Sequence, residues 1–256
     1  MDIILPNRGV LAISGEDRIA FLQGLVTNDV TEVSENKAIY ACLLSAQGRF
    51  LHDFMIVSEG ERLLLDCEAD RIDDLMKRLK MFRLRSRVEI ADVTQGRTVR
   101  VSSTPVAKAY ADPRDAGLGY RRFEDANTAV DGSFAEYDRL RISLGIPDGS
   151  RDMAPGEALP LENNIDVLNG IAWEKGCYVG QELTARIKYK AQARRRLVPV
   201  RLEGPSVEAG TLFYDGEREI GEMRSSCGDM GLALMRVDAR VEEFTSGETR
   251  VKLLQN

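Results

Sequence analysis

Apolar and polar positions along the first third of the chain predict strands interleaved with helices. Residues 10–13 form a short apolar strand, and Ser14 with Asp17 three positions on starts a helix whose apolar residues Ile19, Leu22, Leu25 and Val26 keep helical spacing. Residues 39–44 and 50–57 read as strands around a turn at Ser45-Ala46-Gln47-Gly48. Residues 62–67 are nearly continuous in apolar side chains, which places them centrally in a sheet. The clearest helix runs over 70–82. Ile72, Leu75, Met76, Leu79 and Phe82 make one apolar face, while Asp73, Asp74, Lys77, Arg78 and Lys80 fill the other. Strands at 88–92 and 97–103 close an α+β unit of mostly antiparallel sheet with helices on one face.

The pattern then loosens and changes. Residues 111–122 are expected as loop with a short strand. Phe134, Tyr137, Leu140, Arg141 and Leu144 mark a helix that Gly145 and Pro147 terminate. Residues 148–160, with Gly149, Pro155, Gly156 and Pro160, read as a surface loop. From Arg196 onward the pattern is all-β, with strands at 197–202, 211–214, 219–224, 231–237 and 250–254 and a strong hairpin signal at Asp215-Gly216. Five short strands in so few residues predict a small barrel, joined to the rest between residues 190 and 194.

Composition narrows the chemistry. With 256 residues, 43% apolar and 30% charged, the chain folds without disulfides or metal staples. Thirty-five basic against 41 acidic residues leave −6, which argues against bulk nucleic-acid binding but not against a local basic patch. The single histidine, His52, excludes every two-histidine metal site, and no metal ligand set is expected. Cys42, Cys67, Cys177 and Cys227 are too far apart for CxxC chemistry and read as reduced thiols. No secretory or organellar address and no apolar run of spanning length is recognised, so a soluble, cytoplasmic protein without a membrane partner is expected.

One stretch stands out on residue type: Trp173-Glu174-Lys175-Gly176-Cys177-Tyr178-Val179-Gly180-Gln181-Glu182. It holds the sole tryptophan and places Cys177 two residues from Lys175, whose ammonium would favour a thiolate. The competing reading is a small buried cysteine in a tight turn. Six cations follow between residues 186 and 196, either a solvated linker face or a funnel for an anionic ligand or acidic protein. RNA is disfavoured, because aromatic side chains do not interleave with the charges. The basic run at 77–87 reads as a helix C-terminus favouring cations. His52, on a strand beside Asp53, is either a structural histidine or a ligand contact.

Residues 175–182 match the K-G-C-Y-x-G-Q-E signature of the YgfZ family, the folate-binding proteins of iron–sulphur cluster assembly and repair, related to the aminomethyltransferase (T-protein) of the glycine cleavage system. Leu183-Thr184-Ala185-Arg186 with Arg194-Arg195-Arg196 resembles the branch that includes mitochondrial iron–sulphur assembly members. Residues 21–30, 45–53, 112–121, 140–147 and 231–234 fit the family in the same order.

The resemblance implies an α+β, T-protein-like ring of subdomains around a central channel for tetrahydrofolate, with a small C-terminal β-barrel. The expected division is a folate domain over 1–190 (subdomains near 1–95 and 96–190) and a barrel over 194–256. Cys177 and Lys175 would carry the chemistry, and Asp53, Arg121, Arg141, Trp173, Tyr178, Gln181 and Glu182 would bind the folate. The partners implied are iron–sulphur client or assembly proteins, and one cysteine could only share a cluster with them. T-protein's adjacent acidic pair corresponds to His52-Asp53 here, its glycine-rich loop to 119–125, and its helix glutamate to Ser143. Those departures favour an accessory factor over aminomethyl transfer, which stays the alternative; a scaffold without chemistry is a third reading.

Overall fold

The computed structural model describes residues 1–125, 132–190 and 193–254. After β1 (Asp2–Ile4) the chain enters β2 (Arg8–Ser14), the short helix α1 (Arg18–Gln23), β3 (Ile39–Leu44), β4 (Phe50–Glu59), β5 (Arg62–Glu68), helix α2 (Ile72–Arg83) and β6 (Glu89–Asp92). Five of these strands form an antiparallel sheet in the order β3-β4-β5-β2-β6. The nearly unbroken apolar run of β5 is central, as its composition requires. One face of the sheet packs Leu63, Leu65, Phe54 and Ile56 against Leu75 and Leu79 of α2 and Phe21 and Leu22 of α1. The other carries Tyr40, Cys42, Met55, Val57 and Leu64.

That second face meets a four-stranded sheet, β1-β7-β9-β8, built from β1, β7 (Thr98–Ser102), β8 (Tyr110–Ala111) and β9 (Tyr120–Glu124). The strand expected at 97–103 therefore leaves the first sheet. It pairs with β1 and β9 instead, which buries Val99 and Val101 in the interior. Helix α3 (Phe134–Ser143) follows. Residues 148–160 are not a surface loop throughout: Gly149, Asp152, Met153 and Pro160 are buried, because Met153 fills the core and Asp152 holds Arg141. A helix not anticipated from the pattern, α4 (Gln181–Lys190), closes this part by burying Thr184 and Ile187.

The C-terminal strands are β10 (Arg195–Glu203), β11 (Leu212–Asp215), β12 (Arg218–Cys227), β13 (Met230–Arg236), β14 (Glu243–Ser246) and β15 (Thr249–Leu253), all antiparallel in the order β11-β12-β13-β10-β15-β14. The sheet curls until its two edges meet, with the Phe213 and Phe244 rings 4.8 Å apart, giving a nearly closed barrel around Val200, Met223, Ala233 and Val251. Leu197, Leu232 and Leu234 on its outside dock against Ile142 of α3. The junction expected between residues 190 and 194 includes 191–192, which lie outside the described residues.

Candidate functional site

The segment leading into α4 is tied down by backbone hydrogen bonds to the turn after α1: Ala172 N–H donates to Thr27 O at 3.0 Å and Val179 N–H to Gly24 O at 3.3 Å. Lys175 completes the anchor. Its Nζ donates to the carbonyls of Gln23, Val26 and Asn28 at 2.9, 2.8 and 2.7 Å. An ammonium has three N–H groups, so all are spent. Burial pushes Lys175 down to about 8, with the Asp29 carboxylate opposing. The side chain thus acts as a cation in a carbonyl cage and has no donor left to hold the Cys177 thiolate, the role expected of it from the sequence.

Cys177 projects from this anchored segment and is exposed. Tyr178, next to it, turns inward and is buried, with the Lys175 ammonium 5.3 Å from its ring centre and its hydroxyl raised by burial to about 12. Trp173 folds back along α4: Lys188 Nζ lies 3.7 Å from its ring centre and the Tyr189 ring stands edge-on at 6.1 Å. Gln181 and Glu182 form the first turn of α4, Gln181 half-buried and Glu182 exposed. Of the sequence-predicted residues, Cys177, Trp173, Tyr178, Gln181 and Glu182 therefore belong to one region with Lys175 beneath. The other cysteines differ from Cys177. Cys42 and Cys67 are buried, with burial pushing Cys67 up to about 12 and Cys42 in the same direction, and half-buried Cys227 donates to Ala135 O at 3.4 Å.

Asp53 lies elsewhere, between the two sheets. Strand alternation on β4 sends it to the opposite face from His52. Its Oδ2 accepts from the Tyr40 hydroxyl at 2.9 Å, while Oδ1 is buried without a hydrogen-bond partner. Burial raises its pKa against the pull of Arg8. Around it runs an ion-pair network that the sequence reading missed. Arg8 Nε donates to Asp66 at 2.6 Å, and Arg121 bridges Asp66, Asp112 (3.3 Å) and the Tyr137 hydroxyl (2.8 Å). Arg114 donates to Asp112 at 2.7 Å. Burial works against the Asp112 charge, but Arg114 and Arg121 outweigh it and hold the carboxyl down to about 2. The available signal was Asp66 itself, a carboxylate inside Leu63-Leu64-Leu65-Asp66-Cys67, since a buried charge demands a cation.

Two further sequence candidates are structural. His52 is buried, with Nε2 2.8 Å from Asp74 on α2, and burial with the Arg71 charge pushes it down to about 4. Arg141 donates from all three guanidinium nitrogens, to Asp138, Asp152, Ile146 O and Ser225 of β12, bolting α3 to the barrel.

A cleft of about 500 Å³ opens between these regions, lined among others by Asn28, Lys37, Asp112, Asn169 and Ile171. It shares Asn28 with the Lys175 cage and Asp112 with the interior network, and its size is in the usual range for small-molecule sites. Asp53, one of the residues the resemblance assigns to reduced folate, has an unpartnered buried acceptor, Oδ1, that suits a pterin N–H edge, but it does not line this cleft. Arg141 is committed to protein acceptors at all three nitrogens and Arg121 at both Nη atoms, while Arg121 Nε is buried and unbonded. No group of three or more His, Cys, Asp or Glu that could hold a metal occurs among the described residues.

Comparison with known proteins gives a consistent assignment. Residues 7–109 match the GCVT N-terminal domain family, and residues 194–255 match the CAF17 C-terminal beta-barrel domain. The human protein named iron-sulfur cluster assembly factor IBA57, mitochondrial, is 34% identical over 270 residues, covering 90% of this chain and 76% of the relative. The Neurospora crassa homologue of IBA57, also named mitochondrial, is 34% identical over 314 residues, covering 96% and 72%. Among solved structures, glycine cleavage system aminomethyltransferase T from Bartonella henselae superposes with a TM-score of 0.77 at 14% identity, over 100% of this chain and 84% of that one, a likeness of fold. The cytoplasmic location expected from the sequence is corrected by these relatives, whose names place them in the mitochondrion.

Proposed function

The chain belongs to the IBA57 family of iron–sulphur cluster assembly factors, with a GCVT-like N-terminal part and a CAF17-type barrel, and from that membership we propose that it serves the assembly or repair of iron–sulphur proteins through Cys177. The observation that carries this reading is the pairing of an exposed thiol with a rigid base: Cys177 is open to a partner while Lys175 and the 24–28 turn fix the segment beneath it. One thiol supplies a single ligand, whereas clusters take four. Cluster contact is therefore shared with a client or assembly protein and is transient. This arrangement suits a helper rather than a cluster enzyme.

The signature shared with the YgfZ family supports a finer reading in which the N-terminal part binds tetrahydrofolate. Asp53 would accept from the pterin edge, and the bound folate would supply a one-carbon carrier. The proposed division into a folate domain over 1–190 and a barrel over 194–256 follows the same likeness. Aminomethyl transfer receives no support from the geometry, because His52 faces Asp74 and shares no pocket with Asp53.

The test is complementation. Cells lacking the gene are expected to lose activity in cluster-containing enzymes and to regain it with the wild-type chain but not with Cys177→Ser, whose fold is intact. Full rescue by Cys177→Ser would sink the thiol role. Titration calorimetry with tetrahydrofolate tests the finer reading separately: absence of saturable heat removes folate and leaves the assembly role standing.

A further inference from the structure

Helix α2 ends in a feature that neither the assembly role nor the folate reading uses. Its inner face is fixed by Ile72, Leu75 and Leu79, but residues 80–85, Lys-Met-Phe-Arg-Leu-Arg, are all exposed. Within this tip Met81 is 63% exposed, Phe82 41% and Leu84 88%. Leu84 sits at φ 43°, a conformation unusual for a residue with a Cβ, which turns the chain sharply and leaves its side chain projecting into solvent. Large apolar side chains gathered at one exposed point mark a contact surface more often than chance decoration.

The charges around them are one-sided. Lys77, Lys80, Arg83 and Arg85 make no ion pair with any described residue, whereas Arg78 is paired with Asp74 and Arg87 with Glu16 and Asp17. Asp73, a turn before Lys77, and Glu89, four residues after Arg85, are the exposed acids nearest in sequence. Four unpaired cations thus surround three projecting apolar groups in a chain whose net charge is −6. A helix C-terminus accounts for cations in its last turn. It does not account for apolar side chains held out among them.

We propose that this tip is a peripheral contact for an anionic membrane surface. Cations beside a bilayer carrying anionic headgroups are each attracted, and short apolar side chains between them enter the headgroup boundary. The shape favours a bilayer over an acidic protein, because Phe82 and Leu84 project into solvent from the helix end, and the depression beside them, bordered by Met76, Lys77, Lys80 and Met81, is open rather than an enclosing groove. No helix among the described residues is long and apolar enough to span a membrane, and a surface contact needs none. The sequence expectation of no membrane partner rested on the absence of a span.

Co-sedimentation with unilamellar vesicles tests this on the full chain. At about 0.1 M salt the protein is expected to sediment with phosphatidylcholine vesicles containing about 30% phosphatidylglycerol, and at least tenfold more weakly with pure phosphatidylcholine. Binding should fall steeply by about 0.5 M salt, where exposed charges are screened. Lys80→Glu with Arg83→Glu should lower the partition coefficient roughly tenfold or more. Phe82→Ser with Leu84→Ser should weaken binding several-fold with the salt dependence retained. These side chains are exposed, so both variants should melt near the wild type; a variant that does not is replaced by Lys77→Gln with Arg85→Gln. Cys177→Ser should bind vesicles normally, which separates this contact from the assembly role. Equal binding to neutral and anionic vesicles, or none to either, overturns the proposal. So does concentration-dependent dimerisation that Phe82→Ser abolishes while vesicle binding is absent, since the tip would then be a protein contact.

Discussion

Gly48 and Gly180 meet backbone on backbone. A Cβ on Gly180 would lie 2.5 Å from the Ser45 carbonyl oxygen and 3.0 Å from Gly48 Cα, and one on Gly48 would lie 2.9 Å from the Gly180 carbonyl oxygen. Both residues also hold positive φ, 68° and 83°. The turn between β3 and β4 and the segment bearing Cys177 are thereby locked together, one face of the lock being absence of side chains. Gly180→Ala should destabilise the fold by about 2–4 kcal/mol, combining the left-handed backbone with a clash against backbone that cannot step aside. Urea unfolding measures the loss. Trp173, the sole tryptophan, reports the segment directly, and an unchanged emission spectrum with an unchanged midpoint would show that the contact is slack.

Lys175 offers a sharper distinction, because the carbonyl cage and thiolate activation predict different results. Lys175→Met removes the cation from three carbonyls and should cost about 2–4 kcal/mol. Arginine should not restore it, since a planar fork does not match three converging oxygens. The rate of Cys177 alkylation at pH 7 should stay the same or rise in Lys175→Met as the segment loosens. A marked slowing at constant stability would return Lys175 to the role of thiolate partner.

These two contacts show where the sequence was readable and where it was not. Strands β3, β4 and β5 and helix α2 follow from local periodicity, because each has a continuous face to bury, and the Asp215-Gly216 hairpin follows from turn chemistry, with Gly216 at φ 60°. Strand β14 carries Phe244 as its one large apolar residue and gave no period to detect. Cys177, Trp173 and Tyr178 were legible through their signature. The Lys175 cage was not, because its acceptors are backbone carbonyls some 150 positions away, and a carbonyl carries no sequence identity. The same holds for Arg121: its charge was visible, but its commitment to Asp66 and Asp112 is a product of two sheets packing.

Arg141 joins the two halves of the molecule through Ser225, at 2.8 Å from Nη2. Arg141→Met would leave the buried Asp138 and Asp152 carboxylates without their shared cation and should cost about 3–5 kcal/mol. Ser225→Ala removes a single hydrogen bond and should cost about 1 kcal/mol or somewhat more. A double-mutant cycle between the two isolates the link between α3 and the barrel. A coupling of zero would mean that the other contacts, among them Ile142 with Leu232 and Leu234, Arg139 with Asp229 and Cys227 with Ala135 O, hold the barrel in place without this bond.

His52 ties stability to pH with a definite sign. Its pKa falls from 6.5 when unfolded to about 4 in the fold, because burial and Arg71 disfavour the charged ring more than Asp74 favours it. Between these values the unfolded chain binds the extra proton and the folded one does not, so stability rises with pH across the window. It should be complete above about pH 6.5 and diminished by about 3 kcal/mol near pH 4, from roughly 1.4 kcal/mol per pKa unit. Asp74, held low by Arg78 and His52 against its partial burial, titrates below the window and adds its own acid sensitivity there. His52→Gln keeps a donor for Asp74 without the titration, so its stability should be nearly flat from pH 6.5 to about 5 where the wild type falls; below that, protonation of Asp66, Asp74 and Asp112, all held low in the fold, lowers both. As the only histidine, His52 also gives a single imidazole C2–H resonance, and a titration midpoint near 6.5 rather than near 4 would remove the linkage altogether.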